Sequence, residues 1–131
     1  MMFPHRAAEA AAVVHDPVAI EKLKEIDPDG TLVHKWIRGF LRQAPGRVHG
    51  IRSATDDEVF PAVVAAAHSL KNVVGWLGGE RLWLVCHDLE QAARSESQAE
   101  CRSHLSALQE QLPLLAACLV VYLEGNVTQR M

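Results

Sequence analysis

The chain has 131 residues, 49% of them hydrophobic and 22% charged, a composition that suits one compact domain with a sizeable core and leaves no room for a second. A net charge of -3 supplies no polybasic footprint, which excludes nucleic acid as a primary ligand. The apolar run from Ala7 to Val14 contains Glu9 and is far shorter than the roughly 20 residues a bilayer requires, and the N-terminus lacks a cleavable signal pattern. Cys86, Cys101 and Cys118 are odd in number and fall on apolar helical registers, as expected of reduced core thiols in a cytoplasmic protein.

Nearly every segment has a helical period and none alternates like a strand, so the expected class is all-α. The Ala-rich start, Ala7 to Val14, reads as an extra helix or a frayed tail. Asp16-Pro17 is an N-cap followed by a first-turn proline, opening a short helix with Ile20, Leu23 and Ile26 on one face. Asp27-Pro28-Asp29-Gly30 breaks it. The next helix is expected from Thr31 to Gln43, burying Val33, Trp36, Ile37, Phe40 and Leu41, with Ala44-Pro45-Gly46 as its stop. A shorter helix, Arg47 to Ala54, would then use Val48 and Ile51.

Thr55-Asp56-Asp57-Glu58 fits a capping box for the following helix, although Pro61 removes a donor and either kinks that helix or moves its start to Phe60. Gly78-Gly79 ends it. A helix from Glu80 to Ser95 buries Leu82, Val85, Cys86, Leu89 and Ala93. The last helix carries Cys101, Leu105, Leu108, Leu112, Leu115, Leu119 and Tyr122 at alternating spacings of four and three, the seam of bundle packing. Pro113 should bend it without ending it.

The informative segment runs from Ala66 to Gly78. At about 100° per residue, Val59, Val63, Ala66, Leu70, Val73, Val74 and Leu77 gather on one side and His68 falls on the other. With His68 lie Val64 and Ala65 one turn before and Lys71, Asn72 and Gly75 one and two turns after. An exposed imidazole, with an ordinary pKa of about 6.5, is a nucleophile at neutral pH. The Lys71 ammonium can offset charge on a phosphoryl group in transit, and Gly75 leaves room for a partner's cleft to close.

His68-Ser69-Leu70-Lys71, then Gly75 and Leu77-Gly78, resemble the signature of the histidine-containing phosphotransfer (HPt) domain family. Leu82-x-x-x-Cys86-x-x-Leu89-Glu90-x-Ala92-Ala93-Arg94 resembles that family's next helix, and Phe40-Leu41-Arg42-Gln43-Ala44-Pro45 the end of an earlier one before its turn. The resemblance spans roughly Pro28 to Leu123. It implies an up-and-down four-helix bundle, here with additional short N-terminal helices, in which His68 carries phosphate between receiver-domain aspartates and Lys71 assists. The chain departs from the family at Asn72, where a glycine usually follows the lysine, and at Val73-Val74-Gly75, where small polar residues are common.

The expected division is an N-terminal helical extension over residues 1–27, the bundle over 28–124 and a tail over 125–131. The expected function is a phosphorelay carrier with receiver domains of response regulators or a hybrid kinase as partners, acting as a monomer. Val64, Ala65, Asn72, Gly75 and Trp76 are the expected docking residues. With no glycine-rich phosphate loop in the sequence, no ATP-dependent kinase activity and no cofactor are expected, and magnesium belongs to the receiver. The rival is a docking adaptor through which no phosphate passes. A metal site is disfavoured because Cys101-x-x-His104 has no second pair. A Ser69 triad is disfavoured because helical neighbours diverge and no carboxylate is seen to orient the pair. Trp36 and Phe40 read as core, Trp76 and Trp83 as half-exposed packing residues.

Overall fold

The computed structural model describes the backbone of residues 12–130 and the side chains of residues 12–125. Five helices follow in order: α1 Pro17–Ile26, α2 Thr31–Asp56, α3 Phe60–Trp76, α4 Glu80–Arg94 and α5 Gln98–Arg130. Helices α2 to α5 form the bundle, α3 lying between α2 and α4 and α5 closing the ring against α2 and α4. One core runs through it, with Val33, Ile37, Ile51, Val63, Ala67, Leu70, Leu89, Leu108 and Leu115 among its most deeply buried side chains. α1 lies outside the ring against α2.

Helix α1 starts as its sequence dictates: Pro17 follows Asp16, whose carboxylate accepts from the Val18 amide at 3.0 Å. It ends at Asp27, which is buried because its side chain turns forward to accept from the Val33 amide at 2.9 Å. The first turn of α2 thereby gains a partner for one of its orphan donors. Ile26, expected in the core, is 75% exposed at this last position of α1.

One break expected in the middle of the chain is absent. α2 runs through Ala44-Pro45-Gly46 as one helix of 26 residues, so the separate Arg47–Ala54 helix does not exist. Pro45 is exposed. Its cost of roughly 3 kcal/mol in a helix interior is offset because Phe40, Ala44, Ile51 and Thr55 on either side are all buried.

The capping box is likewise not made. Thr55 lies fully buried inside α2, and the Val59 amide donates to Ala54 O at 2.8 Å while the Glu58 amide donates to Thr55 O at 3.1 Å. With Glu58 at φ 56°, these two bonds form a Schellman motif that ends α2. Helix α3 then begins at Phe60 with Pro61 in its first turn, where the missing donor costs nothing. Val59, placed on the apolar stripe by periodicity, is exposed at the N-cap, and the stripe runs through Ala67 while Ala66 and Val73 lie at its half-buried margins.

The other two bundle turns repeat this closure. Gly79 N donates to Val74 O at 2.8 Å around Gly78 (φ 87°), and Ser97 N to Ala92 O at 3.1 Å around Glu96 (φ 56°). The segment Ala12–Asp16 is neither helical nor loose. The Val13 carbonyl accepts from the Arg81 amide at 3.0 Å, the Asp16 amide donates to Gly78 O at 2.8 Å, and the His15 ring meets Leu77 O at 2.9 Å. This strap ties the segment just before α1 to the α3–α4 turn. Residues 7–11 of the Ala-rich run lie outside the described residues.

Helix α5 passes Pro113 without interruption and continues beyond residue 124 to Arg130. Between Gln98 and Gly125 it is long and apolar enough to cross a membrane by length and composition. Its apolar seam is the bundle's own core, with Cys101, Leu105, Leu108, Leu112, Leu115 and Leu119 buried. Cys86 and Cys101 are core thiols as expected, whereas Cys118 is only partly buried.

Candidate functional site

His68 stands on the outer face of α3 with its side chain 53% exposed. Ala65, Asn72 and Trp76 are exposed on the same face, and Val64 and Gly75 are half-buried beside it. Trp76 is 58% exposed. The helix therefore presents one continuous surface from one turn before the imidazole to two turns after it, and the sequence-derived docking residues all belong to it.

The carboxylate missing from the sequence argument comes from α4. Glu90 Oε1 lies 3.3 Å from His68 Nδ1 and 3.0 Å from Lys71 Nζ, and its Oε2 accepts from Arg94 at 2.7 Å. The Glu90 side chain is 4% exposed, so a buried charge sits under the imidazole with three nitrogen partners around it. Burial by itself would raise its carboxyl, but the hydrogen bonds from Arg94 and Lys71, the Lys71 charge and the His68 contact outweigh burial and hold it at about 2. Glu90 is therefore an anion at neutral pH. An anionic carboxylate can only accept, which fixes the proton of a neutral His68 on Nδ1 and turns the Nε2 lone pair to solvent. Ser69 takes no part in this: its hydroxyl faces α2, accepting from Arg47 at 3.2 Å.

Lys71 is on the flank of α3 facing α4, not on the open face with His68. It is only 12% exposed. Its ammonium lies 3.4 Å from His87 Nδ1 and 5.4 Å from the centroid of Trp83, and the Trp83 and His87 rings stack at 5.3 Å. Trp83, expected half-exposed, is buried as part of this wall. The wall flanks the lysine while its ammonium meets Glu90 Oε1, the same oxygen that contacts His68.

Sequence spacing could not bring Glu90 to His68, because the two are 22 residues apart on different helices. The available signal was Glu90 itself, an acidic residue one step after Leu89 on the core register, with Arg94 one turn on. Trp36, assigned to the core, is instead 45% exposed. Cys101 is buried and His104 only half-buried, and among the described residues no three His, Cys, Asp or Glu side chains converge as a metal cluster.

The Hpt domain family model matches residues 35–118, well over half the chain. The chain belongs to the Hpt domain family. The fold of this Hpt domain is similar to the crystal structure of histidine-containing phosphotransfer protein B from Pseudomonas aeruginosa PAO1, with a TM-score of 0.76 and 18% sequence identity over 90% of this chain and 96% of that one. A search of curated proteins finds no match. Hpt domains are phosphocarriers of two-component signalling, and the exposed imidazole backed by a buried anion lies inside the matched span of this one.

Proposed function

We propose that this Hpt domain is a phosphorelay carrier, which takes a phosphoryl group onto His68 from the phosphoaspartate of one receiver domain and passes it to the aspartate of another. The observation that carries this reading is the His68–Glu90 contact, which leaves Nε2 as the free nucleophile on an open surface. In the forward step the Nε2 lone pair attacks phosphorus, the P–O bond of the acyl phosphate breaks, and the receiver aspartate leaves as a carboxylate. The ring becomes positive as the P–N bond forms. Glu90 stabilises that charge through the Nδ1 proton, and Lys71 is within reach of the phosphoryl oxygens. Transfer onward reverses these bonds.

The chain acts as a carrier without ATP-dependent kinase activity of its own, as a cytoplasmic monomer. It needs no cofactor, and the magnesium of the reaction is held by the receiver. Val64, Ala65, Asn72, Gly75 and Trp76 form the contact around the nucleophile.

The test is incubation of the wild type and His68→Gln with phosphorylated receiver domains. The wild type should acquire an acid-labile, base-stable phosphate on His68, and the variant none, with a thermal midpoint close to wild type because the side chain is largely solvated. Stable receiver binding without any transfer would establish the docking adaptor instead.

A further inference from the structure

The chain is acidic overall, with a net charge of -3, but the fold does not spread its charges evenly. Helix α2 carries Lys35, Arg38, Arg42, Arg47 and Arg52, and its one acidic residue is Asp56 at the last position. At about 100° per residue, Lys35, Arg38, Arg42 and Arg52 fall within one sector of about 100°, with His49 in its middle. All five side chains are exposed. The sector faces away from the buried stripe of Val33, Ile37, Ala44 and Ile51, and none of its four cations is ion-paired among the described residues. A polybasic footprint that composition conceals is thus assembled on the outside of one helix.

Apolar groups border this row. Ile26 at the end of α1 and Leu32 and Trp36 in the first turns of α2 are large side chains left exposed, and Ile26 and Trp36 line the same opening as Lys35 and Arg42. Seventeen residues separate Lys35 from Arg52, about 26 Å along the helix at 1.5 Å per residue. The phosphotransfer face turns elsewhere: His68 contacts Glu90 on α4, and it is the neighbouring Ser69 that meets α2 through Arg47.

We propose that the outer face of α2 docks on an anionic lipid bilayer, with Lys35, Arg38, Arg42 and Arg52 over the headgroups and Ile26 and Trp36 at the acyl boundary. The domain rests on the surface without entering it, and the His68 face stays open to a protein partner. Charge complementarity carries the assignment. At about 0.15 M salt, charges act over about 8 Å, so a surface responds to the cations it faces and not to the net charge of the whole chain. Stable adsorption takes two signals, basic residues and an apolar element, and both are present side by side. A nucleic-acid duplex would use the cations but offers no apolar phase to Ile26 and Trp36.

The experiment is co-sedimentation of the full chain with vesicles of phosphatidylglycerol and phosphatidylcholine in equal parts, and with vesicles of phosphatidylcholine alone, at about 0.15 M salt. The wild type should bind the first and not the second, and high salt should release it. Each cation near an anionic bilayer is worth about fivefold in partitioning, so Arg38→Gln with Arg42→Gln should lower it by about 25-fold. Lys22→Gln with Arg102→Gln removes the same net charge from α1 and α5 and should stay within about twofold of wild type. Trp36→Ala should weaken binding by about threefold or more, since the apolar signal is lost. Circular dichroism and thermal midpoints verify that each variant is folded.

Failure of the wild type to bind the anionic vesicles, or equal binding to both kinds, overturns the assignment. Equal losses in the two double variants overturn it as well, since net charge and not the α2 face would then govern adsorption. Binding of a double-stranded DNA oligonucleotide at the same salt, without binding to the anionic vesicles, would give the row of cations to nucleic acid instead. The outcome is independent of phosphotransfer, because no residue of the row contacts His68, Lys71 or Glu90.

Discussion

The Glu90 carboxylate lies 3.3 Å from the Nδ1 of His68 while 4% exposed, whereas the imidazole it contacts is 53% exposed. One helix thus hides the charge and another presents the ring that the charge orients. This division lets a solvated nucleophile be held in one tautomer by a group that water cannot displace.

Glu90→Gln keeps an acceptor near Nδ1 but removes the anion. Phosphate acceptance should fall by about tenfold or more, the equivalent of about 1.4 kcal/mol in the barrier, and Glu90→Ala should be slower still. Stability should also respond to pH. The carboxyl sits at about 2 in the fold against an ordinary 4.5, so its contribution is fully present above about pH 4.5 and is lost as the pH falls toward 2. Urea denaturation at pH 6, 4 and 3 should therefore show the gap between wild type and Glu90→Gln narrowing with acid. A gap independent of pH over that range would contradict the assignment.

Lys71 has two separable roles, packing against Trp83 and charge beside Glu90 and His68. Lys71→Ala removes both and Lys71→Met only the charge. Both should slow transfer by roughly 10- to 100-fold, since a charge-assisted hydrogen bond to phosphate is worth about 1.5–3 kcal/mol. Only Lys71→Ala should also lose the stem contact, visible as a lower thermal midpoint than Lys71→Met. Transfer at the wild-type rate in Lys71→Met would confine the lysine to structure.

The strap makes a prediction of its own. Burial lowers the His15 pKa against the opposing effects of the Leu77 carbonyl and Asp16. A histidine whose folded pKa is depressed favours the fold above its ordinary value of 6.5 and loses that contribution as the pH falls through the lower, folded value. Hydrogen-exchange protection of the Asp16 and Arg81 amides, which bond across the strap, should fall between pH 7.5 and 5. His15→Gln should remove that dependence.

Gly78 is the turn glycine that geometry requires. Its φ is 87°, and an added Cβ would strike the Asp16 carbonyl oxygen of the strap. Gly78→Ala should cost about 1–3 kcal/mol by chemical denaturation. Gly79→Ala should cost less, because its Cβ meets the methyl end of the Leu115 side chain, 2.7 Å away, which can shift. Equal costs would mean that side-chain crowding, rather than backbone conformation, governs the turn.

The sequence by itself determined the all-α class, the core seam of α5, the start of α1 and the exposed face of α3 with His68 on it, because helical period and the Asp16-Pro17 cap act over a few residues. Lys71 was legible as a neighbour of His68, but not its turn toward α4. Local signals misled where tertiary packing outweighed them. Buried Phe40, Ala44, Ile51 and Thr55 carry α2 through Pro45, and Thr55-Asp56-Asp57-Glu58 closes α2 instead of opening α3, since the same polar residues suit either terminus. Trp36 keeps helical period but borders a groove that exists only because three helices meet there. The pairing of His68 with Glu90 was decided by the packing of α3 on α4: contacts across 22 residues depend on the relative rotation and register of two helices, which no local pattern specifies.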